Sequence, residues 1–187
     1  MRSLVRRVFA GMLGLLAVAM VATLVGAAAP AGAATTSRAG GGPTHVWTQG
    51  LRWPFVRPGN RGERVFAVQY LLQQKGYRVP ATGFYGTITT GAVKSFQRSR
   101  GLNPSGNVGP STWDRLIVTL RFGNRGPAVK AVQHNMRFAY GFQFQRVTGF
   151  FGTETLAVVR AFQRGSRLPV TGVVNSPTWM TIIWFEN

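Results

Sequence analysis

The residues able to do acid–base, nucleophilic or metal chemistry are few and scattered. The chain holds four acids, Glu63, Asp114, Glu154 and Glu186, two histidines, His45 and His134, and no cysteine. Without cysteine there is no thiol nucleophile, disulfide framework, iron–sulfur cluster or thiolate zinc site. Glycoside hydrolysis generally needs two carboxylates flanking one bond. Here Glu63 and Glu154 fall in or near the first turns of different predicted helices, where an acid simply favours the helix dipole. Asp114 follows Trp113 on a short predicted helix. A zinc site needs about three protein ligands, and His134 has no second histidine near it in sequence. There is no Ser-x-x-Lys and no Ser/His pairing to activate a hydroxyl. The expectation is no enzyme, with no catalytic residue, metal or cofactor.

What the chain has in place of a reactive cluster is positive charge. It carries 22 Lys+Arg against 4 Asp+Glu, a formal net charge of +18. All the cations except Lys75, Lys94 and Lys130 are arginines, which suit planar, bidentate contact with carboxylate or phosphate. An Arg-rich codon bias would produce the same excess without any function. An anionic partner surface is expected.

The elements that must present these charges begin after an address. Arg2, Arg6 and Arg7 precede an uncharged apolar stretch over residues 8–29, and Ala31-Gly32-Ala33 offers a small-residue cleavage site. Residues 1–33 therefore read as a secretory signal peptide, and the protein as secreted. An uncleaved membrane anchor is the alternative, and Arg6-Arg7 also resembles a twin-arginine signal. Residues 34–56, mostly Ala, Thr, Gly and Pro at first, read as a flexible leader.

The remainder is a duplication. Residues 57–69 match 121–133 at 9 of 13 positions, and 83–98 match 149–164 at 9 of 16. This gives two units, 57–118 and 121–183, joined too closely at Thr119-Leu120 for a floppy linker. Each unit reads as three helices. Val65, Val68, Leu71 and Leu72 keep helical spacing, then Ala92, Val93 and Phe96, then Trp113 and Leu116; the second unit repeats the plan. Phe96 with Trp113, and Phe162 with Trp179, are the expected core anchors. Because about 60 residues make a marginal domain, a face buried between the units is expected to add stability. Gln69, Gln97, Gln133 and Gln163 recur at equivalent places and read as helix-edge amides bonding loop backbone, with ligand contact as the alternative.

One order of residues runs through both copies. It is Gly59, Gly62, Val65, Val68 and Gln69; Gly83 to Gly86 and Thr89; Ala92, Val93, Phe96 and Gln97; Gly101, Leu102, Gly106, Val108, Gly109, Thr112 and Trp113. Copy two departs at Arg167, in place of Gly101, and at Asn175, in place of Gly109. This order resembles the peptidoglycan-binding-domain-like family. The resemblance implies an all-α chain of two tandem three-helix modules that bind bacterial cell-wall peptidoglycan, hence a secreted or cell-wall-associated protein.

The ligand-binding candidates are Arg57, Asn60, Arg61 and Tyr85 in the first unit and Arg121, Asn124, Arg125 and Phe151 in the second. Arginine can pair with stem-peptide carboxylates, and asparagine with amides or sugar hydroxyls. Tyr85 is the expected contact because its hydroxyl wants a partner, while Phe84 and Phe150 are expected in the core. The repeated Gly-Asn-Arg-Gly also reads simply as a helix-opening turn. Two other readings stay open: a basic binder of polyanions such as anionic wall polymers, and a regulatory partner of a cell-wall hydrolase. Nucleic acid is not expected as the partner, given export and the lack of a reader motif. Membrane contact is expected only through an uncleaved signal segment.

Overall fold

Among the described residues six helices carry the two repeats, three in each. In the first, α1 spans Glu63–Gln74, α2 Thr87–Ser99 and α3 Pro110–Leu116. In the second, α4 spans Pro127–Phe138, α5 Thr153–Gly165 and α6 Ser176–Trp184. The structure, a computed structural model, describes residues 52–143 and 146–184. The expected signal peptide and residues 34–51 of the expected leader lie outside the described residues. Among the described residues there is no strand, only four isolated two-residue bridges, and no helix is long and apolar enough to cross a membrane.

Apolar periodicity builds the core. Val65, Val68, Leu71, Leu72, Phe96 and Trp113 have no exposed surface, and neither do Val129, Val132, Met136, Phe162, Trp179 and Ile182. Each such side chain contributes roughly 1.5–3 kcal/mol by leaving water. Both repeats start earlier than the sequence suggests. Trp53, expected in the leader, is buried, stacks on Trp113 at 5.7 Å and donates from Nε1 to Asp114 Oδ1 at 2.8 Å. Val56 bridges Val108, as Leu120 bridges Val174. The indole N–H groups of Trp113 and Trp179 donate to the matching carbonyls of Pro54 and Val118 at 2.8 and 2.7 Å. A short lead-in segment is thus fastened to the last helix of each repeat.

Buried glutamines then fix the turns. Gln69 Oε1 accepts the N–H groups of Thr82 and Gly83, while its Nε2 donates to Phe84 O and Thr89 Oγ1. Gln133 does the same for Gly149, Phe150 and Thr155. Gln97 and Gln163 clamp the next turn of each repeat through Gly106, Asn107 and Thr112, and through Gly172, Val173 and Thr178. All four are buried, so each satisfies backbone groups that water cannot reach. Their role is loop bonding, and they have no surface left for a ligand.

The two departures of copy two have local causes. Arg167 holds φ 56 where Gly101 holds φ 66, a left-handed position that disfavours a side chain. Asn175 Oδ1 accepts the Thr178 N–H at 3.3 Å and caps α6. A Cβ at Gly109 would meet the Phe55 ring at 2.5 Å. The residue matching Phe55 in the second repeat is Thr119, which leaves room for Asn175.

Both repeats lie within one compact unit, Trp47–Asn187, held chiefly by α1 packing on α4. Glu63, opening α1, bonds His134 Nδ1 late in α4. Gln74, closing α1, accepts the N–H of Ala128 early in α4 at 3.1 Å. The helices therefore run antiparallel. Between those ends His134 lies against Phe66 at 4.1 Å and Phe138 at 4.5 Å. Arg64 reaches the last carbonyls of α6, donating to Ile183 O and Trp184 O at 2.9 Å each. One module thus caps helices of the other at both a start and an end.

Candidate functional site

Each repeat builds its exposed feature from two turns zipped together. In the first, the Asn60 N–H donates to Arg57 O at 3.0 Å, closing a turn with Pro58 second and Gly59 third at φ 88. That is a type II turn, which needs the positive φ that glycine supplies. Asn60 Oδ1 accepts the Arg57 N–H at 2.8 Å and locks it. Residues 121–124 repeat the arrangement at 3.1 and 2.8 Å, with Gly123 at φ 89 and Phe122 in place of Pro58. The amide oxygen of both asparagines is thereby committed to its own turn, which leaves the NH₂ groups as their available donors.

This turn docks on the Gly-Phe-aromatic-Gly turn. Gly59 N–H donates to Tyr85 O, Tyr85 N–H to Asn60 O and Gly62 N–H to Gly83 O, each at 2.9 Å. The same three bonds recur between Gly123 and Phe151, Phe151 and Asn124, and Gly126 and Gly149. Side chains alternate across such a pairing. Tyr85 and Phe151 therefore point inward and are wholly buried, whereas Phe84 is 39% exposed and Phe150 half-buried. This reverses the sequence expectation. The Tyr85 hydroxyl does have a partner, but an internal one: it donates to Gly106 O at 2.7 Å. Burial holds that hydroxyl well above the usual phenol range.

On the outer side the Arg61 guanidinium lies over the Phe84 ring, 4.2 Å from its centroid. Arg125 lies over Phe150 at 4.0 Å. Arg57, Arg61, Arg121 and Arg125 are all exposed. An open groove of about 540 Å³ runs beside Phe84, lined by Pro58, Thr82, Gly86, Thr87 and Ile88 among others. A smaller hollow of about 280 Å³ takes in Asn60, Arg61 and Arg64. The structure thus sets Arg61 on Phe84 and Arg125 on Phe150, each beside an asparagine-locked turn that carries Arg57 or Arg121, with the Arg57 guanidinium over the Phe55 ring at 5.3 Å. It withdraws Tyr85 and Phe151 into the core.

Chemically this arrangement suits recognition. A stacked guanidinium keeps its edge donors free for a planar anion, and its aromatic neighbour offers an apolar face. Two of the four acids are bonded elsewhere, Glu63 to His134 and Asp114 to the Trp53 indole. Among the described residues no three histidines or carboxylates come together as a metal site would require. Sequence reasoning missed the outward placement of Phe84 and Phe150. A signal was present: that position is Phe in both repeats, whereas its neighbour changes from Tyr85 to Phe151 and so does not need a hydroxyl.

Comparisons with known proteins bear on this surface. A solved "Peptidoglycan-Binding Protein from Clostridioides difficile in Complex with Glutamine Hydroxamate" is 43% identical over 34% of this chain and 40% of its own, with a TM-score of 0.33. A protein of Kitasatospora aureofaciens, described as "Uncharacterized protein in bpoA1 3'region", is 38% identical over 65 residues, 34% of this chain. The chain spans about half that relative's length, 55%. The family model described as "Putative peptidoglycan binding domain" matches twice, at residues 61–116 and 125–182. Those spans take in the three helices of each repeat, short of the last two residues of α6, with the glutamine clamps and both Arg–Phe pairs, so the chain belongs to the peptidoglycan-binding domain family, in tandem.

Proposed function

We propose that the protein is an exported, non-catalytic cell-wall protein that holds peptidoglycan through the Arg61–Phe84 and Arg125–Phe150 platforms. The observation that carries this reading is recurrence. Two repeats that differ at many positions each keep an exposed arginine stacked on a phenylalanine, next to the same asparagine-locked turn. Family membership supports peptidoglycan as the partner. In this reading Arg57, Arg61, Arg121 and Arg125 take stem-peptide carboxylates, and the Asn60 and Asn124 NH₂ groups take amide or hydroxyl oxygens. Phe84 and the adjoining groove receive the less polar part of the same ligand. The dispersed acids support a role in binding without bond cleavage.

The test is cosedimentation with protein-free peptidoglycan, with and without attached anionic polymers, across a salt series. Retention on bare peptidoglycan at high salt, lost in the double variant R61A/R125A, is the expected result. The net charge of +18 favours a second reading, general attraction to anionic wall polymers. Retention that requires those polymers and disappears with salt would establish that reading and refute the first.

A further inference from the structure

We infer that the two platforms face opposite ends of the molecule, so that one chain bridges two peptidoglycan strands; this rests on the reading of the platforms as peptidoglycan sites. Arg61 immediately precedes Gly62, the N-cap of α1, and Arg125 immediately precedes Gly126, the N-cap of α4. Each platform therefore sits at the start of its helix. The two helices are antiparallel, because Glu63 meets His134 and Gln74 meets Ala128. The start of α1 lies beside the end of α4, and the start of α4 beside the end of α1. With 12 residues in each helix, the platforms are about 18 Å apart along the helix direction alone. They are further offset by the width of a helix pair, about 8–10 Å.

The modules cannot swing to bring the platforms side by side. The Phe66–His134–Phe138 stack fills the joint, Gln74 caps α4, and Arg64 holds the end of α6. Linked sites gain avidity on one polymer only where geometry allows both to engage it. Sites fixed at opposite ends favour two separate strands.

The experiment is a sandwich capture. Peptidoglycan is fixed on beads, the purified protein is added, and fluorescently labelled soluble glycan strands with intact stem peptides follow. Bridging predicts label on the beads that rises and then falls with protein concentration, as each platform saturates separately. The variants R61A/F84A and R125A/F150A should each remain on the beads yet lower label capture about tenfold. R61E and R125E, single changes at exposed side chains, give the same comparison if an alanine pair perturbs folding by circular dichroism. If soluble strands strip the protein from the beads without being captured, one strand occupies both platforms and the inference falls while peptidoglycan binding stands. If a mixture of the two single-platform variants restores capture, self-association makes the bridge and the inference falls. No retention on the beads at all overturns the binding reading, and this inference with it.

Discussion

At the scale of single residues, three positions carry costs that the paired repeat shows how to remove. Arg167 occupies a left-handed backbone at φ 56, and its counterpart is Gly101. The strain of about 1–2 kcal/mol is partly offset because glycine is freer in the unfolded chain by about 0.5–1 kcal/mol. R167G should therefore stabilise by about 0.5–1 kcal/mol and raise Tm by roughly 2–4 °C in a thermal melt. Asn135 is wholly buried and donates to Ala131 O, but its Oδ1 has no partner among the described residues. Leu71 is its counterpart, so N135L should stabilise by about 1–3 kcal/mol in a urea titration. Tyr85 ties stability to alkaline pH. Its folded-state pKa is raised by burial above the ordinary 10.0. Stability from the neutral phenol is complete below that value and is lost as pH climbs through the folded one. Y85F, which copies Phe151, should lose about 1 kcal/mol at neutral pH and unfold less readily above pH 10. Tyr85 also marks a limit of the sequence reading. A hydroxyl's need for a partner was legible, but the side of the turn it faces is set by the pairing of Asn60 with Tyr85, a contact between distant residues.

At the scale of elements, helix periodicity was readable because apolar spacing and glycine stops agree in both repeats. Cap chemistry was less so. Thr87 and Thr89 both have the side chain of a helix cap, yet the Thr89 hydroxyl accepts from Gln69 inside the module. The lead-in segments were also illegible: Trp53 looks like part of a leader until Trp113 and Asp114 are brought beneath it. Phe55 and Gly109 show the same dependence on pairing. The Phe55 ring occupies the space of a Gly109 Cβ, and the second repeat changes both residues, to Thr119 and Asn175. G109N should cost about 1–3 kcal/mol through crowding. Adding F55T should recover much of that, because the introduced asparagine is then free to cap α3 as Asn175 caps α6. A double-mutant cycle by urea unfolding checks this, and additive losses would show that the two sites are independent.

At the scale of the whole molecule, the duplication announced two modules, but no sequence pattern told how they pack. The stripe that joins them uses unlike residues: Glu63, Phe66, Tyr70 and Gln74 on α1, and Ala128, His134 and Phe138 on α4. Being unlike, these residues drop out of any comparison of one copy with the other. The Tyr70 ring lies 5.9 Å from the His134 ring across the joint, and burial there, with the Glu63 charge, raises its hydroxyl above the usual phenol range. Ala67 and Ala131, equivalent in the repeats and wholly buried, fall by helical spacing on the same faces as Glu63 and Tyr70 on α1 and Ala128 and His134 on α4. A131L should force α1 and α4 apart at a cost of about 1–3 kcal/mol. Because a module of about 60 residues is marginal alone, the native chain should melt in one cooperative step, with Trp113 and Trp179 reporting the same midpoint. In A131L the two midpoints should separate, followed by the resolved indole N–H resonances of Trp113 and Trp179 in a thermal NMR series. The two platforms would then lose their fixed opposition, and sandwich capture should weaken while retention on peptidoglycan persists. Coincident midpoints together with unchanged capture would show that the α1–α4 joint contributes neither to stability nor to how the platforms are held.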